Sequence, residues 1–180
     1  SPALAALSNV TLTSNAAQIA PVTVNSLTLN NGGGITTGVS QTLTLDSGGL
    51  LAFAGNTGIS GGLLSTTSNR ELVVFAEGDL SITSAIVSTA GGLTKSGAGT
   101  LTLGLGNTYT GATSVTQGTL KLAAGGVNSI YFNNDLIGDA GVPVDLNGSI
   151  QYANRLLNDV NVFDAANGVI VITTKKGRAG

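Results

Sequence analysis

Glu77 and Asp79, in AEGDL, are the closest pair of carboxylates in the chain and the first place to look for chemistry. Two residues apart on a continuous strand they would share a face, where they could serve as acid and base or hold calcium. Gly78 stands between them, so the segment is read as an exposed turn between two strands. Asp135, Asp139 and Asp145 form a second acidic group. Their spacing fits neither an EF-hand loop nor a calcium β-roll repeat, and they are read as solvated loop acids. Arg70, Glu71 and Lys95 are read as surface charges. The glycine-rich run NNGGG at residues 30–34 lacks the Lys-Ser/Thr that follows a phosphate-cradling loop, and is read as a turn.

Composition removes further chemistries. The chain of 180 residues has no His, Cys, Met or Trp. Without His the commonest general base and zinc ligand are absent, and without Cys there is neither a disulfide nor a thiolate site. The absence of Met marks the chain as a mature product, an excised fragment or an artificial one. Charged residues make up 9% and net charge is −2, which leaves no basic footprint for nucleic acid. Aromatics are 4%, too few for a base-stacking platform. Mean hydropathy is +0.35, yet no apolar run approaches the ~18–20 residues of a spanning helix. No catalytic, cofactor-binding or metal-ligating residue is assigned on this reading.

The elements that would have to position any such group are short strand-like packets. NVTLTSN (9–15), PVTVNSLTLN (21–30), TLTLD (42–46), LLAFAG (50–55), ELVVFAE (71–77) and DLSITSAI (79–86) come first. TLTLGL (100–105), TSVTQGTLKLA (113–123), SIYFNN (129–134), VPVDLN (142–147) and GVIVITT (168–174) follow. Apolar and polar residues alternate within them, and Gly, Asn, Asp or Ser bounds each. QYANRLLN (151–158) is the one stretch that fits a turn or two of helix.

The packets repeat. The template [ST]-L-x-L-x-x-G-G occurs at 26–33, 42–49 and 119–126, and Leu43, Leu72, Leu101 and Ile130 open strands at intervals of 29. Repeats of this size point to stacked architectures, and the absence of Trp argues against propeller blades. The expectation is an all-β, parallel β-solenoid (β-helix) with irregular rung lengths over residues 9–174. Residues 1–8 are then a leader or linker and 175–180 a basic tail, with the region from 128 onward the weakest fit. Inward Leu and Val would stack into one core, with Thr on the outer face. Asn30, Asn56, Asn69, Asn107 and Asn128 recur at strand ends and could bond to one another as an amide ladder. The ends of such a coil carry unpaired strand edges that favour end-to-end self-association.

Residues 91–122, GGLTKSGAGTLTLGLGNTYTGATSVTQGTLKL, are specific enough to carry a resemblance. They resemble the autotransporter-associated β-strand repeat, or passenger-associated transport repeat, through GGLTKSGAGTLTL, GNTYTGATSV and GTLKL. The resemblance implies an extracellular or cell-surface bacterial passenger segment, with no catalytic residues to carry over and a surface ligand or polysaccharide as partner. DAANGVIVITTKKGR (164–178) resembles the end of the plug in SusC-type TonB-dependent receptors, with DAGVPVDL (139–146) as a faint echo upstream. Read plainly, GVIVITT is one more strand and Lys175, Lys176 and Arg178 are a solvated end. The function expected is structural or surface-presenting, with an adhesive role included. A plug-like C-terminal part, a designed or composite scaffold, and a polysaccharide-active β-helix enzyme remain as alternatives. The enzyme would need converging acids, which nine acids scattered over the chain do not supply.

Overall fold

The structure is a computed structural model, which describes residues 4, 6–68, 70–87, 90–104, 106–131, 134–139, 141–158, 160–163 and 169–172, the last group by strand pairing alone. It is all β. In chain order the strands are β1 (Asn9–Leu12), β2 (Asn15–Gln18), β3 (Val22–Leu29), β4 (Gly34–Ala52), β5 (Gly58–Thr66) and β6 (Leu72–Ala76). Then come β7 (Leu80–Ile82), β8 (Ala85–Val87), β9 (Leu93–Ser96), β10 (Thr100–Leu103), β11 (Thr113–Val115) and β12 (Thr119–Leu122). The last are β13 (Leu136–Gly138), β14 (Pro143–Asp145), β15 (Ile150–Ala153), β16 (Leu156–Leu157), β17 (Asn161–Phe163) and β18 (Val169–Ile172).

Every strand pairing is parallel, and the pairings fall into three rows that run the length of a β-solenoid of about seven turns. The first row stacks β1, the end of β3, the end of β4, β6, β9, β11, β13 and β16. The second stacks β2, the start of β4, the start of β5, β7, β10, β12, β14 and β17. The third stacks the start of β3, the middle of β4, the end of β5 and β8, and continues near the C-terminal end as β15 on β18. β4 is long because it bends around all three sides of a single turn. Gly48 makes one of its corners: its φ is +76°, and a Cβ there would stand 2.0 Å from the carbonyl oxygen of Glu71. Only glycine fits that approach.

Alternation within the strands builds the core. In the second row Ala16, Ile35, Ile59, Ile82, Leu103 and Leu122 stack inward, and beside them Leu80, Leu101, Leu120 and Val144. Each has 3% or less of its surface exposed, so each contributes on the order of 1.5–3 kcal/mol if it is a large aliphatic residue. The outward threonines of TLTL and TLKL, Thr100, Thr102 and Thr119, are half-buried, which their methyl and hydroxyl tolerate without any charge.

Four expectations about the strands need correction. The interval of 29 is not a turn: Asn9 pairs with Ser26, an offset of 17, Leu43 with Leu64, an offset of 21, and Gly49 with Val73, an offset of 24. The interval of 29 joins strands from different rows, Leu43 in the third, Leu72 in the first and Leu101 in the second. Likewise the [ST]-L-x-L cassette serves the first row at Ser26, the third at Thr42 and the second at Thr119. A four-residue alternation fits any side of the coil, so its recurrence does not measure a turn. Finally, residues 151–158 are not helical. They hold most of β15 and all of β16, because Ile150–Ala153 lies against β18 and Leu156 stacks on Leu136. The described part of SIYFNN, residues 129–131 and 134, forms no strand.

Candidate functional site

Glu77 and Asp79 are exposed in the turn between β6 and β7, as their spacing around Gly78 predicts. Asp79 ties that bend to the coil on either side: its Oδ1 accepts the Thr100 N–H of the next turn at 2.8 Å, and its backbone carbonyl accepts the Asn56 amide of the preceding one at 2.8 Å. Asp135, Asp139 and Asp145 do not converge. Asp135 faces Arg155 two-pronged, with Nε–Oδ1 3.1 Å and Nη2–Oδ2 2.5 Å, and the bonds from Arg155 hold its carboxyl below the usual range. Asp139 is exposed beyond β13, while Asp145 is nearly buried on the second row, 3.7 Å from Lys121. Among the described residues no three His, Cys, Asp or Glu side chains gather as metal ligands would. Arg70 and Glu71 are exposed, and Glu71 accepts the Thr94 hydroxyl from the next turn. Asn69 and residues 173–180, including Lys175, Lys176 and Arg178, lie outside the described residues, as does most of the plug-like stretch 164–178.

Lys95 is not a surface charge. It sits in register between Val74 and Val115, two inward positions of the first row, and none of its surface is exposed. Its stem fills the core column and its ammonium turns to the corner, where it donates to the carbonyls of Ser96 (2.8 Å), Gly97 (2.7 Å) and Gln117 (3.0 Å). Three donors meet three acceptors. Burial pushes the ammonium down to about 8, against the field of Asp79, which raises it. The sign was present in LTKS, since Leu93 and Lys95 share the inward parity.

The asparagine ladder takes a different form. None of Asn30, Asn56, Asn107 and Asn128 bonds another of that set; the amides of Asn56, Asn107 and Asn128 bond backbone on adjacent turns instead. Asn107 accepts the Ile86 N–H (2.8 Å) and donates to the Ser129 carbonyl (2.6 Å), so one amide spans three turns of the third row. Gln151 does the same work further along, accepting from Ile130 N (3.0 Å) and donating to Ile130 O (2.9 Å). Asn107 stands where the third row has no strand, and Gln151, in β15, reaches back to Ile130, which is in no strand; a side-chain amide carries the same donor and acceptor as a peptide. Asn9 and Asn25, outside the expected set, do bond to each other at 2.6 Å. Tyr109 is fully buried, bonded to the Thr113 hydroxyl at 2.7 Å, with its phenol pushed up by burial.

One concavity of about 430 Å3 opens on the outside of the second row. It is lined mainly by Asn56, Thr57, Asp79, Ser81, Thr102 and Lys121. Ser81, Thr102 and Lys121 stack in register from β7 through β10 to β12, so the groove follows the long axis of the coil.

Residues 93–122 match the passenger-associated-transport-repeat. The matched span runs from the first residue of β9 to the last of β12, so the repeat is more than one full turn: it contributes to the first and second rows twice. It contains Lys95, Asn107 and Tyr109, all three turned inward. No curated protein and no solved structure matches the chain.

Proposed function

We propose that the chain is a noncatalytic, passenger-type segment of a bacterial surface protein, which holds an elongated and stable β-solenoid outside the cell. The observation that carries this reading is the coincidence of the repeat match with a whole turn and a half of the coil, β9 to β12. Within that span the polar residues Lys95 and Asn107 are committed to backbone groups of the coil, which is framework use of residues that could otherwise bind or react. Turn offsets that vary between 17 and 24 also favour a natural repeat over a designed scaffold of uniform rungs.

Joining the chain to an export signal and to an outer-membrane translocator barrel in a bacterium tests the localisation. Labelling of an epitope on intact cells, together with a protease-resistant core shed from the surface, is the expected result. Retention in the periplasm as degraded fragments would overturn it. Incubation of the purified chain with a panel of polysaccharides tests the noncatalytic part, and new reducing or unsaturated ends would refute that part.

A further inference from the structure

We propose that the groove on the outside of the second row binds a neutral, linear glycan lying parallel to the axis of the coil. The lining has spare hydrogen-bonding capacity. No protein group among the described residues bonds the hydroxyls of Ser81, Thr100 or Thr102, and Asp79 uses one carboxylate oxygen on Thr100 N and leaves Oδ2 open. Lys121 carries three donors and meets only Asp145, at a loose 3.7 Å.

Charge decides the class of ligand. Asp79 lies toward one side and Lys121 toward the end of the same groove, with Asp145 one turn beyond. An anionic ligand meets the Asp79 carboxylate, and a cationic one meets the Lys121 ammonium. A ligand rich in uncharged hydroxyls satisfies both, since each hydroxyl donates to the carboxylate and accepts from the ammonium.

Geometry decides its direction. Ser81, Thr102 and Lys121 belong to successive turns, spaced by the ~4.7–4.9 Å between paired strands. That step is close to the length of one pyranose unit, so a linear chain along the axis presents one sugar to each turn. The one large apolar residue in the lining, Leu80, is 2% exposed, so no ring or apolar platform lies under the sugar and hydrogen bonds to the hydroxyls carry the binding.

An isotope-labelled sample of the whole chain, titrated with cellohexaose and followed by amide chemical shifts, tests the proposal. Saturating shifts confined to residues 56–58, 79–81, 100–102 and 121 are expected, with an oligogalacturonate of the same length binding more weakly. Thr102→Val keeps the strand and its shape while removing one hydroxyl, and Ser81→Ala removes the next. Each weakens binding by about two- to tenfold, as the loss of one hydrogen bond requires, with spectra otherwise unchanged. Absent or scattered shifts overturn the groove, unchanged affinity in both variants overturns its hydroxyl lining, and tighter binding of the oligogalacturonate overturns its neutrality. Surface display is read separately, so it can stand where the groove falls.

Discussion

Lys95 Nζ donates to the carbonyl of Gln117 at 3.0 Å, tying one corner of the coil to the same corner of the next turn. The ammonium also takes the Ser96 and Gly97 carbonyls of its own corner, so one buried charge closes both bends. Gly118 leaves the room for it, since a Cβ there would lie 2.8 Å from Nζ and 2.4 Å from the Gly97 carbonyl oxygen.

Lys95→Met keeps the stem and its packing but leaves three corner carbonyls without this donor. Relief from burying a charge offsets part of the loss. The net expected is a destabilisation of about 1–3 kcal/mol, the cost of orphaned buried polar groups less that relief. Urea unfolding of the variant checks it, and an unchanged midpoint and slope would show that water already serves those carbonyls.

The same residue sets a dependence on pH. Lys95 has its ammonium pushed from 10.5 to about 8 in the folded chain, so between those values the unfolded chain binds more protons. Stability therefore rises with pH from about 8 upward. Tyr109 acts in the opposite sense: its phenol is pushed up from 10.0 by burial, so above pH 10 the unfolded chain loses a proton that the folded chain keeps. Stability falls there. Unfolding free energy measured from pH 7 to 11 should pass through a maximum near 10. Lys95→Met should lose the rising limb and Tyr109→Phe should flatten the fall.

How much of this lay in the sequence depends on the kind of signal. The parallel β-solenoid follows from the repetition of alternating packets such as Thr100–Leu103 and Thr119–Leu122, because repeated alternation with one buried face allows few architectures. Turn length does not follow, because the same cassette serves all three rows and its spacing mixes them. Lys95 and residues 151–158 depart from their local signals for a related reason. Charge type and local sequence settle neither the direction of Lys95 nor the conformation of 151–158, because register with the neighbouring turns decides both. The groove has no motif at all. Ser81, Thr102 and Lys121 are 19 to 21 residues apart and meet only through register.

Asn107 offers a sharper test of the amide bridge. Asn107→Ala strands the Ile86 N–H and the Ser129 carbonyl, both buried contacts. A loss of about 2–4 kcal/mol is expected, from two backbone groups left unpaired. Amide exchange resolves where: the Ile86 amide should exchange much faster, while that of Ile82, held in the second-row ladder, follows only the global change.

Ser84 gives the opposite sign. Its hydroxyl is buried, with 1% of the residue exposed, and meets no hydrogen-bond partner among the described residues. A buried hydroxyl without a partner costs free energy, and alanine removes it at little loss of volume. Ser84→Ala should therefore leave stability unchanged or raise it by up to about 1 kcal/mol, which for a chain of this size is a rise in Tm of about 2–4 °C. Ser149, the other buried hydroxyl without a partner among the described residues, should behave in the same way. A clear drop in Tm for both alanine variants would mean that each hydroxyl holds an internal water that bridges adjacent turns, and the coil would then owe part of its cohesion to buried solvent.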